Sequence, residues 1–453
     1  MRQVSEDKGM LSLQGDWICF RNRPLVSVNP RKKVLSSGCG QTRVSSSGAE
    51  HPFLRDRTHL CHYRPISHWV SETAARVVLQ GGQQGTILHL SCTQDDCRIH
   101  MDGLPWDHNH LVFHLAHKTE ETCFGGFDRY RMPNIVAAQT GMFVWQAGGH
   151  TIWAHAGHLA PLNGYCTSGG FWLEVLSPAL TRFRMEEGKP DLAGILENTI
   201  EVWDASASLR IGLGCCFEEG FHGLAGEGAT FFSAPDHQEI RKPPDRSGIP
   251  LSFSDPVQVP FRISGGVAAC EKKVSGLKAE DEWRMLVIED WQGMKRTLLS
   301  ATPNCSWKAD PELYHRLADL VGRLQASGHR CGCNVLPFVN LDSEMHREAS
   351  VRGYCLMARN GHEYEDRVRE NPVAWIDLTQ PRAVSWMQEQ IRILADTYHF
   401  TVFLAAMDVP FPVKAAAASG NALTLRNGWA FRWYDACRLA FEEDSGIKVL
   451  PDA

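Results

Sequence analysis

No stretch of the 453 residues approaches the ~18 consecutive apolar residues of a membrane-spanning helix, so no membrane partner is expected. Charge of one sign is lacking too. Lys and Arg number 46 against 52 Asp and Glu, a formal charge of −6, which argues against a general polyanion binder and so against a nucleic-acid partner. The N-terminal segment MRQVSEDKGMLSLQGDWICFRNRPLVSVNP has no apolar core of roughly 7–15 residues such as a secretory signal carries, which points to the cytoplasm. Cysteine is not scarce, but its usual patterns are. Fifteen are spread from Cys19 to Cys437, with close pairs at Cys92/Cys97, Cys215–Cys216 and Cys331/Cys333. None forms a CxxC, so they read as reduced, mostly buried thiols of an intracellular protein. GxGxxG after a strand, GxxxxGK[ST], GxSxG, HExxH and EF-hand loops are all missing. The glycine-rich pieces LQGGQQG (79–85) and FEEGFHGLAGEG (217–228) therefore count as turns, and no cofactor is expected. His108, His110, His114 and His117 cluster in WDHNHLVFHLAH without a carboxylate or cysteine at diagnostic spacing, so no metal is expected either.

What is present divides the chain by texture. Residues 1–55, rich in Ser, Gly, Lys and Arg, read as a loose leader. Residues 56–232 carry short alternating runs such as ARVVL (75–79), GTILHLSC (85–92), HLVFHLAH (110–117) and GFWLEVL (170–176), separated by turn residues. That is the signature of an antiparallel β-sandwich. The proline-rich, charged segment 233–256 reads as a linker. From 257 onward strand and helix alternate, as βαβ units around a parallel sheet do. Strands are expected at 257–263, 283–290, 331–339, 400–407 and 447–450. Helices between them include 311–328, with Leu313, Leu317, Leu320, Val321 and Leu324 at helical spacing, and 381–399, which opens on a proline. The fold class is thus multidomain β plus α/β: a sandwich followed by an incomplete TIM-type (β/α) barrel over 257–453, five strands of the eight such a barrel closes with.

Barrels carry their chemistry at the C-terminal ends of the strands. Glu289, Asp290 and Trp291 end one apolar strand; a carboxylate beside an indole can hold sugar hydroxyls and cover a sugar's C–H face, or can instead cap a helix. Asp408 ends FLAAMDVPFP and is a second candidate, for a nucleophile or for a loop cap.

These residues resemble family 31 of the glycoside hydrolases, the α-glucosidase/α-xylosidase clan, and within it the sulfoquinovosidase-like branch. HLAHKTEETCFGGFDRY (114–130) is similar to the family's EE-x-x-YGxGE-x-F segment, with Glu120, Glu121, Phe124, Gly126 and Phe127 matching. ISGGVAACEKK (263–273), IEDWQGMKR (288–296), SWKAD (306–310), RGYCLM (352–357) and WIDLTQPRAVSWM (375–387) follow in family order. The resemblance implies an α-glycosidase acting with retention, in which one carboxylate attacks the anomeric carbon and another, about 5–5.5 Å away, donates the proton. It puts Asp290 at the sugar hydroxyls and Trp291 beside it, with an α-linked glycoside as the partner; a non-catalytic protein of this lineage would use Asp290, Trp291 and Trp307 to hold the sugar.

The nucleophile departs from the pattern. The family's W-x-D-M-N-E-P strand aligns with Leu404 to Pro410, held in register by Met407 and Pro410, and Ala406 stands where the attacking Asp belongs. Asp408 lies two residues on, ~6.6 Å along an ideal strand, too far to act without moving the backbone. The branch's sulfonate-binding residues fall near Thr302 and Cys305, which puts a sulfosugar substrate in question. The acid/base strand of the family is expected beyond Ala453. The inherited function is therefore hydrolysis of O-glycosyl bonds in carbohydrate metabolism, with this polypeptide expected to be inactive. The alternatives are a non-catalytic carbohydrate-binding or regulatory pseudoenzyme, a chain whose barrel another chain completes, or a gene fragment without a function of its own.

Overall fold

The computed structural model describes residues 10–40, 58–118, 121, 163–187, 195–215, 260–276, 285–296, 301–368, 371–407, 411–442 and 445–451, plus short strands at 43–46, 52–55, 123–125, 136–137 and 142–144. They form two compact units, residues 1–246 with 423–428, and residues 247–422 with 429–453. The expected linker at 233–256 lies outside the described residues.

The first unit is built on a 14-stranded antiparallel sheet that doubles over on itself. One long strand, Cys61–Val70, makes the fold possible. Its first residues pair with Leu35–Gly38 and the remainder with Ala74–Gly81, across a bulge between Pro65 and Ser67. A bulge sharpens local twist and lets one strand serve two layers. Leu111, Phe113 and Leu115 from one layer meet Val77, Leu79, Leu88 and Leu90 from the other in one core. This is the expected sandwich.

Residues 11–38 correct the expectation of a loose leader. They form strands Leu11–Gln14, Trp17–Phe20, Arg23–Ser27 and Leu35–Gly38. Leu11, Ile18, Phe20, Leu25, Val26, Val34 and Leu35 are buried in the sandwich core. The polar residues that suggested a solvated tail are spent inside. Ser36 bonds His62 at 2.8 Å and Ser37 bonds His108 at 2.7 Å. The histidine cluster is likewise structural: His110 stacks on Trp203 and His114 bonds Glu197 at 2.7 Å.

The second unit is a five-stranded, all-parallel sheet, and it matches the five strands expected from sequence. In chain order these are β1 (Phe261–Ile263), β2 (Met285–Ile288), β3 (Arg330–Val335), β4 (Val402–Ala405) and β5 (Lys448–Pro451). The helices are α1 (Val267–Ser275), α2 (Leu317–Ala326), α3 (Glu344–Val351), α4 (Pro381–Tyr398) and α5 (Trp429–Arg438). Side chains alternate across the sheet, as the period-2 strand requires. Met285, Val287, Val402 and Leu404, with Leu450, form one apolar face. Cys331, Cys333 and Phe403 form the other. There Cys331 lies near Cys270 of α1, Cys333 near Cys437 of α5, and Phe403 stacks on Phe441 at 5.4 Å. Burial pushes the Cys331 thiol up to about 12 and raises those of Cys333 and Cys437 well above the usual range, so all three remain neutral packing groups. At Gly332 the sheet closes so tightly that a Cβ would stand 1.6 Å from the Val402 carbonyl oxygen.

Candidate active site

The register of the parallel strands brings the candidate residues to one rim. Val335 pairs with Ala405, which leaves Ala406 as the first residue past β4, and its amide donates to the Val335 carbonyl at 2.9 Å. Ala406 is buried, 3% exposed. A methyl group therefore stands at the strand end where the family pattern needs a carboxylate. Asp408 lies outside the described residues.

Two indoles close the same rim. Trp291 Nε1 donates to the Asn334 carbonyl at 3.0 Å, and Trp433 Nε1 donates to the Val335 carbonyl at 3.3 Å. Both carbonyls end β3; the Val335 oxygen takes the Trp433 indole in addition to the Ala406 amide, and the Trp291 indole serves the Asn334 oxygen. Trp291 is 0% exposed, edge-on to Tyr398 and Phe400 with ring centres at 6.0 and 6.1 Å. Among the described residues the ring packs against the aromatic side chains at the end of α4.

Asp290 is held just as firmly. It is 6% exposed; the Tyr314 hydroxyl donates to Oδ1, and the Gly265 amide donates to Oδ2 at 2.9 Å. The Tyr314 oxygen in turn accepts the Gly266 amide at 3.1 Å. Gly265 and Gly266 have φ of 104° and 87°, left-handed values that glycine alone takes cheaply, and they lead straight into α1. Asp290 and Tyr314 thus stitch the β2 terminus to the start of α1. Burial, then the bond to Asp290, pushes the Tyr314 hydroxyl far above its ordinary range, so it stays a donor. Glu289 points elsewhere, pairing with Arg262 at 2.8 Å on an exposed edge.

Trp307 is different. It is 4% exposed and has φ of 61°, a strained value for a bulky side chain, fixed by its amide's 2.6 Å bond to Gln292 Oε1. Its ring lies edge-on to Trp433 at 6.3 Å. Its Nε1 finds no acceptor among the described residues, nor does Asn334 Oδ1 find a donor. Sequence reasoning passed over Asn334, Tyr314 and Trp433. Of these, only Asn334 left a signal, as the one polar side chain in the run CGCNVL. Asp377 in the WIDLTQP block is buried and structural: it accepts from the Thr379 amide and hydroxyl, the Gln380 side chain and the Ala418 amide at 2.6 to 3.0 Å. Cys305 is buried as well, its amide donating to Asn340 Oδ1 at 3.3 Å, and it supplies no cation for a sulfonate.

Residues 278–429 match the TIM-barrel domain of the glycosyl hydrolases family 31. The chain is 23% identical over 445 residues to a sulfoquinovosidase of Agrobacterium fabrum, an alignment covering 92% of the chain and 61% of that protein. It is 25% identical over 191 residues to the sulfoquinovosidase of Escherichia coli, covering 41% of the chain and 28% of that protein. The chain therefore spans less than two thirds of either relative. Among solved structures, a family 31 sulfoquinovosidase from E. rectale in complex with an aza-sugar inhibitor superposes with a TM-score of 0.73 at 16% identity, over 97% of the chain and 66% of that protein. Residues 278–429 are thus similar to the TIM-barrel domain of glycoside hydrolase family 31, and the sulfoquinovosidases among the relatives and solved structures it matches place that similarity on the family's sulfoquinovosidase-like branch.

Proposed function

We propose that this chain descends from a retaining α-glycosidase and no longer forms the covalent glycosyl-enzyme. Its inherited function is hydrolysis of O-glycosyl bonds. The carrying observation is the buried Ala406 at the end of β4, pinned by its amide to Val335. A methyl group has no lone pair with which to attack an anomeric carbon and no charge with which to stabilise an oxocarbenium ion. Loss of such a group removes many powers of ten in rate. The test uses 2,4-dinitrophenyl α-glycosides, whose leaving group departs without an acid catalyst. Hydrolysis is expected at the buffer rate, rising when formate is added as an external nucleophile. Turnover without formate that Asp408→Asn abolishes refutes the proposal.

A second reading, a carbohydrate-binding protein without catalysis, rests on Trp307 Nε1 and Asn334 Oδ1. Both are polar groups near strand ends whose hydrogen-bonding capacity the described fold does not spend. Buried polar groups are ordinarily paired, and the hydroxyls of a sugar can donate to an amide oxygen and accept from an indole. Calorimetric titration with α-linked sugars tests it, with heat expected from wild type and lost in Trp307→Phe. No heat from any sugar in the panel counts against it. The cytoplasm is the proposed location, supported by Cys92 and Cys97, which face one another across a hairpin as thiols.

A further inference from the structure

A group of metal-ligating side chains lies in the segment between β3 and α4. His346, Cys355 and Glu363 bring one imidazole nitrogen, one thiol sulfur and one carboxylate oxygen within 4.8 Å of one another. Each sits on an ordered element. Ser343 caps α3 by accepting the His346 amide at 3.0 Å, which places the histidine in the helix's first turn. Cys355 bridges to Ile376 and Glu363 to Met357, backbone pairings that fix the loop carrying both.

The imidazole is oriented for a ligand. Nδ1 faces the Leu341 carbonyl oxygen at 2.8 Å and Nε2 faces Glu363 Oε1 at 2.5 Å. Both neighbours are acceptors, yet a neutral imidazole carries one N–H. With that proton on Nδ1, held by the carbonyl, the Nε2 lone pair points at a carboxylate oxygen, and a positive charge must lie between them. A proton serves, and so does a metal ion. A backbone carbonyl on the far nitrogen is also the arrangement that orients metal-bound histidines. Cys355 is 2% exposed and its thiol is turned to the same carboxylate, while His346 and Glu363 are 17% and 22% exposed and leave one side open to water.

We propose that His346, Cys355 and Glu363 bind a divalent transition metal of the zinc class, with water completing a four-coordinate shell. The mixed nitrogen, sulfur and oxygen donors select zinc or cobalt over magnesium and calcium, which take oxygen alone. Zinc bonds of about 2.0–2.3 Å put tetrahedral ligand atoms about 3.3–3.8 Å apart. The His346–Glu363 contact must therefore open by about 1 Å to admit the ion. On binding, the Cys355 S–H bond breaks, the thiolate takes the metal and the proton goes to solvent. The spacing His-x8-Cys-x7-Glu is no known motif, which is why the sequence does not advertise it.

The test is titration of the reduced, chelator-treated full chain with Co2+, followed by displacement with Zn2+. One equivalent is expected to give a near-ultraviolet thiolate-to-cobalt charge-transfer band that one equivalent of zinc removes. Cys355→Ser should abolish the band. Glu363→Gln, nearly the same shape, should weaken binding at least tenfold with unchanged circular dichroism. His100→Ala, in the exposed group His89, His100 and Asp102, should change neither. Absence of the band in wild type, or a band that survives Cys355→Ser or keeps its affinity in Glu363→Gln, overturns the proposal.

Discussion

Arg23→Ala is expected to destabilise the first unit strongly, because Arg23 belongs to a buried ion pair, not to a solvated tail. Its Nη1 and Nη2 donate to Glu121 Oε1 and Oε2 at 2.5 and 2.7 Å, and Thr167 Oγ1 adds a third bond at 2.5 Å. The guanidinium lies 4.3 Å from the centre of the Phe171 ring. The two side chains are only 6% and 13% exposed, so water does not take over when one partner goes. Breaking a buried pair by removing one member costs about 3–5 kcal/mol. With a urea m-value of about 3 kcal/mol/M, the midpoint should fall by about 1–1.7 M. Acid gives a second readout. Burial by itself would raise the Glu121 carboxyl, but the bonds from Arg23 and Thr167 and the charge of Arg23 hold it below the usual glutamate range. The stability it contributes is complete above the unfolded glutamate value and is lost as pH falls through the folded one. The gap between wild type and Arg23→Ala should therefore narrow as the pH drops below ~4.3. Urea melts followed by circular dichroism at neutral and acid pH decide the matter. A loss under about 1 kcal/mol at neutral pH, or a gap that does not shrink in acid, refutes the reasoning.

Tyr314→Phe should cost about 1–3 kcal/mol, since it strips one bond from the buried Asp290 carboxylate and one acceptor from the Gly266 amide. A urea midpoint equal to wild type would show that Asp290 is not held in this way. Gly332→Ala should prevent or gravely weaken folding of the parallel sheet, because the added methyl collides with the Val402 backbone at 1.6 Å; recovery of a soluble variant with an unchanged melting temperature contradicts that packing. Trp433→Phe should keep the fold at a cost of about 1 kcal/mol, the net worth of its bond to the Val335 carbonyl. A several-fold larger loss would give Trp433 a weight that this one bond does not explain.

The parallel strands were legible because apolar runs, the purest of them MLVI and VFLA, alternate with helices of the right length. MLVI and VFLA are buried on both faces, which is how strands of a covered parallel sheet read. The N-terminal strands were not. LSLQ, WICF and LSSG are four residues each, too short to show a period, and their serines look solvated until His62, His108 and Tyr63 are folded against them. Asp290 and Trp291 show a further limit. A carboxylate and an indole at a strand end read the same whether they face a sugar or the helix layer. The partners they meet, Tyr314, Tyr398 and Phe400, lie 24 to 109 residues downstream. Ala406 could be located from sequence because Met407 and Pro410 hold the register, and the pairing of Val335 with Ala405 puts it just past the end of β4.

The central claim, that no nucleophile remains to form a glycosyl-enzyme, is tested most directly by intact-mass spectrometry after incubation with a panel of 5-fluoro-α-glycosyl fluorides. These reagents form the covalent intermediate of retaining α-glycosidases and slow its hydrolysis. The expected result is an unchanged mass with every reagent. A gain of one fluoroglycosyl unit that Asp408→Asn abolishes would contradict the claim and make Asp408 the nucleophile.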